Sequence, residues 1–399
     1  MESNAVRRQA SREPHTEFTT VGIDRRRFLI VLGGTAAYMA LRPRLAAARK
    51  PPRARPPLQP WTLPDRAPES ALETARALIG AAILAPSHWN SQPWRFEVED
   101  TSIRLLADTR RTLPVTDPDG RWMMASLGAA LENLLVAARA YGLRPTVDYF
   151  PFEGAGDVVA QVSWTGGDAP RDRSLFGALP RRRTNRRGYD GRTLFPQNRA
   201  QISAQVPESV RLHWIDDRDA LRPLADLAYE ATKTQVLDAR AEAERYGWMR
   251  FGDSALERGD GVMVDALEMG GFAHWFAGRY FDPDSWFLRF GAESAAHQAR
   301  DAIRSGGSLV LLTTPVAGNP QWVVGGQAYE RLALKATQLG IAQQPLIVPL
   351  EVPRIRDELV RRFDAQGEEP LLLVRLGHAK APPPSVRRAV ALVTSYRTS

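Results

Sequence analysis

Residues 126–143 read SLGAALENLLVAARAYGL, and residues 324–341 read VGGQAYERLALKATQLGI. Laid on each other without a gap, they agree at Gly128/Gly326, Ala130/Ala328, Glu132/Glu330, Leu134/Leu332, Ala138/Ala336 and Gly142/Gly340, at a constant offset of 198. Apolar residues recur in both with helical period, and each segment ends at a glycine that can take the left-handed conformation closing a helix. A strand-like run follows each, Val158 to Trp164 and Leu371 to Leu376. Two ordinary core helices sharing Ala, Leu and a glycine stop would match in the same way. The strands that follow both favour duplication, so the chain divides into two related halves, residues 68–168 and 169–399.

Outward from the first repeat, Ser70 and Glu73 have capping-box spacing before the periodic run Leu72, Ala75, Leu78, Ile79 and Ala82. A helix is expected from there to about Leu84, stopped by Pro86. Arg95 to Val98 alternates as a strand, and Ile103 to Leu106 can form its hairpin partner. The second half is longer because of an insertion at about 236–305, rich in Tyr246, Trp248, Phe251, Trp275, Trp286 and similar groups. Such aromatic faces must be buried, either as an extension of the core or as a lid over a pocket.

Composition narrows the chemistry. The 399 residues are 44% hydrophobic and contain no cysteine, which removes disulfides, thiolate nucleophiles and cysteine-ligated metal. The six histidines show no ligand spacing, so no metal site is expected. The formal charge of +8 falls by half once residues 1–48, with eight arginines against four acids, are set aside. The remaining arginines do not interleave with aromatics, which argues against nucleic acid as a partner.

Residues 1–48 have the layout of a secretory signal: Asp24-Arg25-Arg26-Arg27-Phe28-Leu29-Ile30, an apolar run to about Leu41, and Ala46-Ala47-Ala48. The apolar run is too short to span a membrane, so no stable anchor is expected after cleavage. The arginine pair followed by Phe28-Leu29 resembles a twin-arginine signal, with Asp24 in place of the usual Ser or Thr. That resemblance implies the twin-arginine export machinery as a partner, passage in the folded state, and a periplasmic or extracytoplasmic location. Residues 49–67, with six prolines, read as an extended linker.

Two segments carry chemistry. The loop Ala85-Pro86-Ser87-His88-Trp89-Asn90-Ser91-Gln92-Pro93-Trp94 offers hydroxyl and amide groups suited to the polar edge of a flat heterocycle. The run Arg181 to Arg187, interrupted by Thr184 and Asn185, offers guanidinium forks and a hydroxyl suited to phosphate. Taken singly, a capped turn and a solvated basic turn are the favoured readings of the two. Together they resemble the nitroreductase family, whose signature Pro-Ser-x-x-Asn-x-Gln-Pro-Trp is matched by Pro86, Ser87, Asn90 and Gln92. Its arginine signature is matched by Arg182, Arg183, Thr184 and Arg186. Gly326-Gln-Ala-Tyr-Glu330 and the stretch from Leu339 through Gln344, Pro345 and Leu346 look like the family's late helix and flavin-facing loop.

The resemblance implies an α+β nitroreductase-like fold: two halves as an intramolecular pseudo-dimer, each a mostly antiparallel sheet flanked by helices, in a monomer. It implies FMN as cofactor, held by the residues just named together with Arg387, which follows Pro382-Pro383-Pro384. Ordinary nitroreductases carry the arginine motif before the loop; here the order is reversed, as expected if each half keeps a different part of one site. Export-signalled fused chains of this length resemble the Acg type, in which a lid covers the flavin; the 236–305 insertion is the candidate. NAD(P)H and a small aromatic acceptor are the expected partners of an oxidoreductase working through flavin N5, with no catalytic side chain assigned. The alternative is a protein that sequesters FMN behind the lid with little or no turnover. No Gly-x-Gly-x-x-Gly or phosphate-loop motif points to a bound dinucleotide.

Overall fold

The computed structural model describes residues 61–152, 157–166, 169–250, 258–263 and 287–397, with backbone only for 287–291. The expected export signal, the expected linker before residue 61 and the aromatic residues at 251–257 and 264–286 lie outside the described residues.

Helix α1 (Ala71–Ala82) starts where Ser70 Oγ accepts the Glu73 N–H at 3.2 Å, and it buries Ala75, Leu78, Ile79 and Ala82. Strands β1 (Trp94–Glu99) and β2 (Ser102–Ala107) form the expected hairpin. Helix α2 (Arg121–Ala140) begins a turn and a half before the repeat, because the Asp117 carboxylate accepts the N–H groups of Trp122 and Met123. Strands β3 (Arg144–Tyr149) and β4 (Val158–Thr165) complete a first antiparallel sheet.

The second half opens with α3 (Pro196–Ser203) and β5 (Arg211–Ile215). Between β5 and the next strand of its sheet come α4 (Arg218–Leu237), α5 (Ala239–Gly247), the short parallel pair β6 (Met249–Arg250) and β7 (Val262–Met263), and α6 (Phe287–Arg304). Then follow β8 (Ser308–Thr314), α7 (Asn319–Gln338), β9 (Ala342–Pro345), α8 (Val348–Glu351), α9 (Pro353–Arg362) and β10 (Glu369–Gly377). Helix α10 (Val390–Val393) leads into β11 (Thr394–Tyr396).

The strand orders are β1-β2-β4-β3, with β11 added beside β1, and β5-β8-β10-β9. Read within each half, both sheets run first-second-fourth-third, and a long helix joins the second strand to the third in each. The segment between β5 and β8 therefore occupies the place that the tight β1–β2 turn has in the first sheet. That segment starts with the amphipathic α4, which precedes the aromatic-rich stretch at about 236–305. The C-terminal β11 pairs in parallel with β1, with Phe96 opposite Thr394, so the end of the second half completes the first sheet.

Helices α2 and α7 cross at the repeat glycines. A Cβ on Gly128 would stand 2.0 Å from Val323 O, and one on Gly326 would stand 2.0 Å from Ala125 O. The sequence offset that aligns the helices also relates these two contacts, each helix using its glycine against the other's backbone. Their ends correspond in the same way: Leu143 N donates to Ala138 O at 3.0 Å and Ile341 N to Ala336 O at 2.8 Å, beside Gly142 (φ +79) and Gly340 (φ +69). Among the described residues, no helix is long and apolar enough to cross a membrane.

Candidate functional site

A cavity of about 390 Å³ opens where residues 86–129 meet residues 184–372. Its walls are the loop Pro86–Trp89, the first turns of α2 (Trp122, Ser126), the pair Thr184 and Arg186, the end of β9 (Gln344, Pro345, Leu346), Tyr329, and the insertion. From the insertion come Gln235 and Val236 at the end of α4, Glu242, Arg245 and Tyr246 on α5, Met249, and Ser294 to Ala302 on α6. The described part of the insertion is thus a cavity wall. Whether the remainder covers it falls on residues outside the described set.

The arginine motif reaches the cavity by joining the edge of the second sheet. Thr184 bridges Gln343 in parallel, Asn185 N donates to Gln343 O at 2.9 Å, and Gln343 Nε2 donates to Arg183 O at 3.0 Å. In extended chain, alternate side chains point to opposite sides. Thr184 and Arg186 accordingly face the cavity, while Arg183 turns back and stacks on Trp61 at 4.2 Å. The Arg186 guanidinium has no hydrogen bond or ion pair among the described residues. It keeps accessible surface, yet the protein around it strips enough water to pull its pKa below the usual arginine value, against the attraction of Tyr329 and Tyr189.

Five expected site residues do not line the cavity. Arg182 and Arg387 point instead at the carbonyls that trail α1: Arg182 Nη2 donates to Leu84 O at 3.2 Å, and Arg387 Nη2 to Leu84 O and Ala85 O at 3.0 Å each. The negative end of a helix attracts such cations. Arg182 Nε also lies 3.2 Å from Glu330 Oε1, in a pair almost wholly closed to solvent. Arg183 donates to Pro180 O and Arg182 O. Burial, reinforced by Arg182, lowers Arg183 to about 10 and brings Arg387 well below its ordinary value. Burial also raises Glu330 to about 7, although Arg182 pulls the other way.

Asn90 and Gln92 are turned away by the backbone. Trp89, Asn90 and Gln92 take φ of 49°, 52° and 51°, left-handed values that cost non-glycine residues energy and collect at functional loops. Surrounding bonds hold the loop there. Asn90 Nδ2 donates to Gly261 O at 2.9 Å, its Oδ1 accepts from Arg387 at 3.0 Å, and Gln92 Nε2 donates to Gly259 O at 2.8 Å. Gln92 Oε1 accepts the Arg388 N–H, and Gln92 N donates to Ser87 Oγ, both at 2.9 Å. Two residues chosen for hydrogen bonds to a ligand thus fasten the loop to the insertion and to the C-terminal segment.

Pro86, Ser87, Thr184, Arg186, Gln344, Pro345 and Leu346 do meet at the cavity. The sequence reading missed Trp122 and the insertion's Glu242 and Arg245. It also missed His88, whose Nε2 lies 3.3 Å from Glu351 Oε1. Tyr329 sat inside a noted motif without an assigned role.

No family model matches the chain. It is 28% identical over 337 residues to "Putative NAD(P)H nitroreductase Rv3131" of Mycobacterium tuberculosis strain H37Rv, spanning 81% of this chain and 92% of that protein. It is 27% identical over 330 residues to "Putative NAD(P)H nitroreductase acg" of the same strain, spanning 79% and 93%. By sequence the chain is similar to these two proteins over most of its length and most of theirs. Among solved structures, the chain is similar to an FMN-bound nitroreductase of Desulfitobacterium hafniense at 14% identity and a TM-score of 0.33, over 53% of this chain and 92% of the other. It also resembles nitroreductase NfnB of Mycobacterium smegmatis, solved with NADPH, at 16% identity and a TM-score of 0.32, over 52% and 90%.

Proposed function

We propose that the chain binds FMN and acts as a nitroreductase-type oxidoreductase on small, flat electron acceptors, with NAD(P)H as reductant. One observation carries the reading: an unpaired arginine, Arg186, beside the Thr184 hydroxyl in the wall of a cavity that both halves build. Ser87, Gln344 and the backbone at Pro345 and Leu346 add polar and apolar surface of the kind a flat ring requires. Near that wall, Arg182 and Arg387 face a single carboxylate, Glu330, with Arg183 adding a third positive charge beside them, and among the described residues Arg182 Nη1 and Arg387 Nε are buried without acceptors. That excess of buried donors fits a phosphate. When bound, a flavin supplies the electron transfer, while the chain binds it, orients it and excludes water.

In this reading the two sheets of equal strand order are the halves of a pseudo-dimer that keeps one site, and the protein works as a monomer. Residues 1–48 serve as a twin-arginine signal to a periplasmic or extracytoplasmic location. Replacing Arg25 and Arg26 by lysine should then leave the protein in the cytoplasmic fraction, and unchanged fractionation would remove the proposal.

The insertion's share of the cavity wall favours a second reading, in which FMN is stored and turned over little. The deciding experiment is uptake of FMN by the purified full chain, followed by anaerobic mixing with NADH or NADPH. Stoichiometric uptake with bleaching of the visible flavin band is expected of the enzyme. Uptake without bleaching by either nucleotide selects storage, and no uptake removes both.

A further inference from the structure

His88 stands in the cavity wall with its side chain 6% exposed, facing Glu351, which is 5% exposed. The ring is held firmly. Trp89 stacks on it and Trp122 meets it edge-on, each at 5.6 Å between centroids. The His88 N–H donates to Ser126 Oγ at 3.3 Å, and its carbonyl accepts the Ser91 N–H at 2.9 Å. Apart from the ring nitrogen at 3.3 Å, neither Glu351 oxygen has a partner among the described residues, and His88 Nδ1 has none.

These contacts define what the ring can do. With Nε2 committed to the carboxylate, a neutral imidazole keeps a lone pair on Nδ1, and an imidazolium carries a proton there. A buried polar nitrogen without a partner is costly unless something completes it. We propose that His88 exchanges a proton with the cavity's occupant, offering Nδ1 to the oxygen of a flat quinone or phenol, and that Glu351 is its positioning residue.

The other ionisable groups facing this pair are Asp117, ahead of α2, and Glu244 on α5. Glu244 is engaged by the N–H groups of Val115 and Thr116 at 2.9 and 2.8 Å. Burial raises the carboxyls of both Asp117 and Glu351, so this end of the cavity holds protons more readily than open solvent would.

For quinone reduction, which rests on the flavin reading above, the balance is two electrons and two protons. A flavin bound there would supply both electrons and one proton as hydride. The second proton leaves His88 Nδ1 for a quinone oxygen, and the neutral imidazole regains a proton from water. Recognition of the oxygen itself does not depend on the flavin.

The test has two arms. In the first, the cofactor-free full chain, labelled with ¹⁵N-histidine, is titrated with 2-naphthol and, as control, naphthalene. The His88 Nδ1 resonance should move with 2-naphthol only. His88→Phe should weaken 2-naphthol about fivefold, as for one lost hydrogen bond, and leave naphthalene unchanged. A resonance that ignores 2-naphthol overturns the proposal. In the second, FMN-loaded, pre-reduced protein is reoxidised anaerobically by menadione between pH 5 and 9. His88→Gln should slow the step at least tenfold and abolish its pH limb. Glu351→Gln should move that limb to lower pH, with Glu351→Asp restoring it. An unchanged limb in His88→Gln also overturns the proposal. If the chain takes up no FMN, the flavin reading fails and the naphthol arm alone decides this one.

Discussion

Arg186 and Arg182 belong to one short basic segment, yet they meet opposite surroundings. Arg186 borders the cavity with no partner among the described residues, whereas Arg182 is buried against Glu330 and the carbonyl of Leu84. The motif therefore does two jobs from one stretch of chain. One arginine is available to an occupant; the other ties its segment to the carbonyl end of α1. Motif matching treats them as equivalent ligands, and only their partners tell them apart. A fixed internal partner makes an arginine a structural element first, and a missing one makes it a recognition element.

The largest effect expected from this contrast is on stability at Arg182. Removing one member of a buried pair leaves the other charge uncompensated, typically at a cost of ~3–5 kcal/mol. In Arg182→Ala, Glu330 can partly escape by taking up a proton, which places the loss at the low end of that range. Urea denaturation at neutral pH measures it. A loss within experimental error of wild type would mean that Arg182 is no more committed to the fold than Arg186.

The pair also sets a pH dependence, with a sign that follows from burial. Glu330 is raised from 4.5 to about 7, so between those values the folded protein holds a proton that the unfolded chain has released. Its contribution to stability is full below about 4.5, declines as pH rises, and is lost above about 7. Glu330→Gln removes this one contribution and leaves those of Asp117 and Glu351. The stability difference between variant and wild type should shift in favour of the variant by ~2–3 kcal/mol between pH 4.5 and 8. A constant difference across that window would show that Glu330 is charged throughout.

How much of this was legible in the residues depends on what each feature requires. The repeat helices were, because a left-handed glycine stop and a buried glycine face leave marks in sequence. So was the β1–β2 hairpin, with its alternating apolar positions. Strand β3 was not: Arg144-Pro145-Thr146-Val147-Asp148-Tyr149 is a largely exposed edge, and no buried face imposes an alternation. Strand β9 is only four residues long and was lost for a related reason. At the site, residue type identified the loop and the arginine run. The side chains' directions were hidden, because left-handed φ at Trp89, Asn90 and Gln92 depends on bonds to Gly259, Gly261, Arg387 and Arg388, far along the chain. The His88–Glu351 pair was hidden likewise, being made only when α8 packs beside the loop.

The sharpest test of the contrast has the smallest expected effect. With no internal partner among the described residues to orphan, Arg186→Ala should leave the urea midpoint where it is. The cost should fall on binding instead. Loss of one charge-assisted contact at a wall that keeps some water is worth ~1–2 kcal/mol, or roughly five- to thirtyfold in FMN affinity. Quenching of flavin fluorescence on titration reads that directly. Arg186→Lys should recover part of the loss, because the charge returns without the planar fork. Arg182→Ala, compared at equal folded fraction, should weaken FMN as well if its buried Nη1 awaits a phosphate, so the two variants separate by their melts rather than by their affinities. If Arg186→Ala binds FMN normally and unfolds early, the assignments of the two arginines are reversed. An unpaired guanidinium at a cavity would then have to be explained by something other than an occupant.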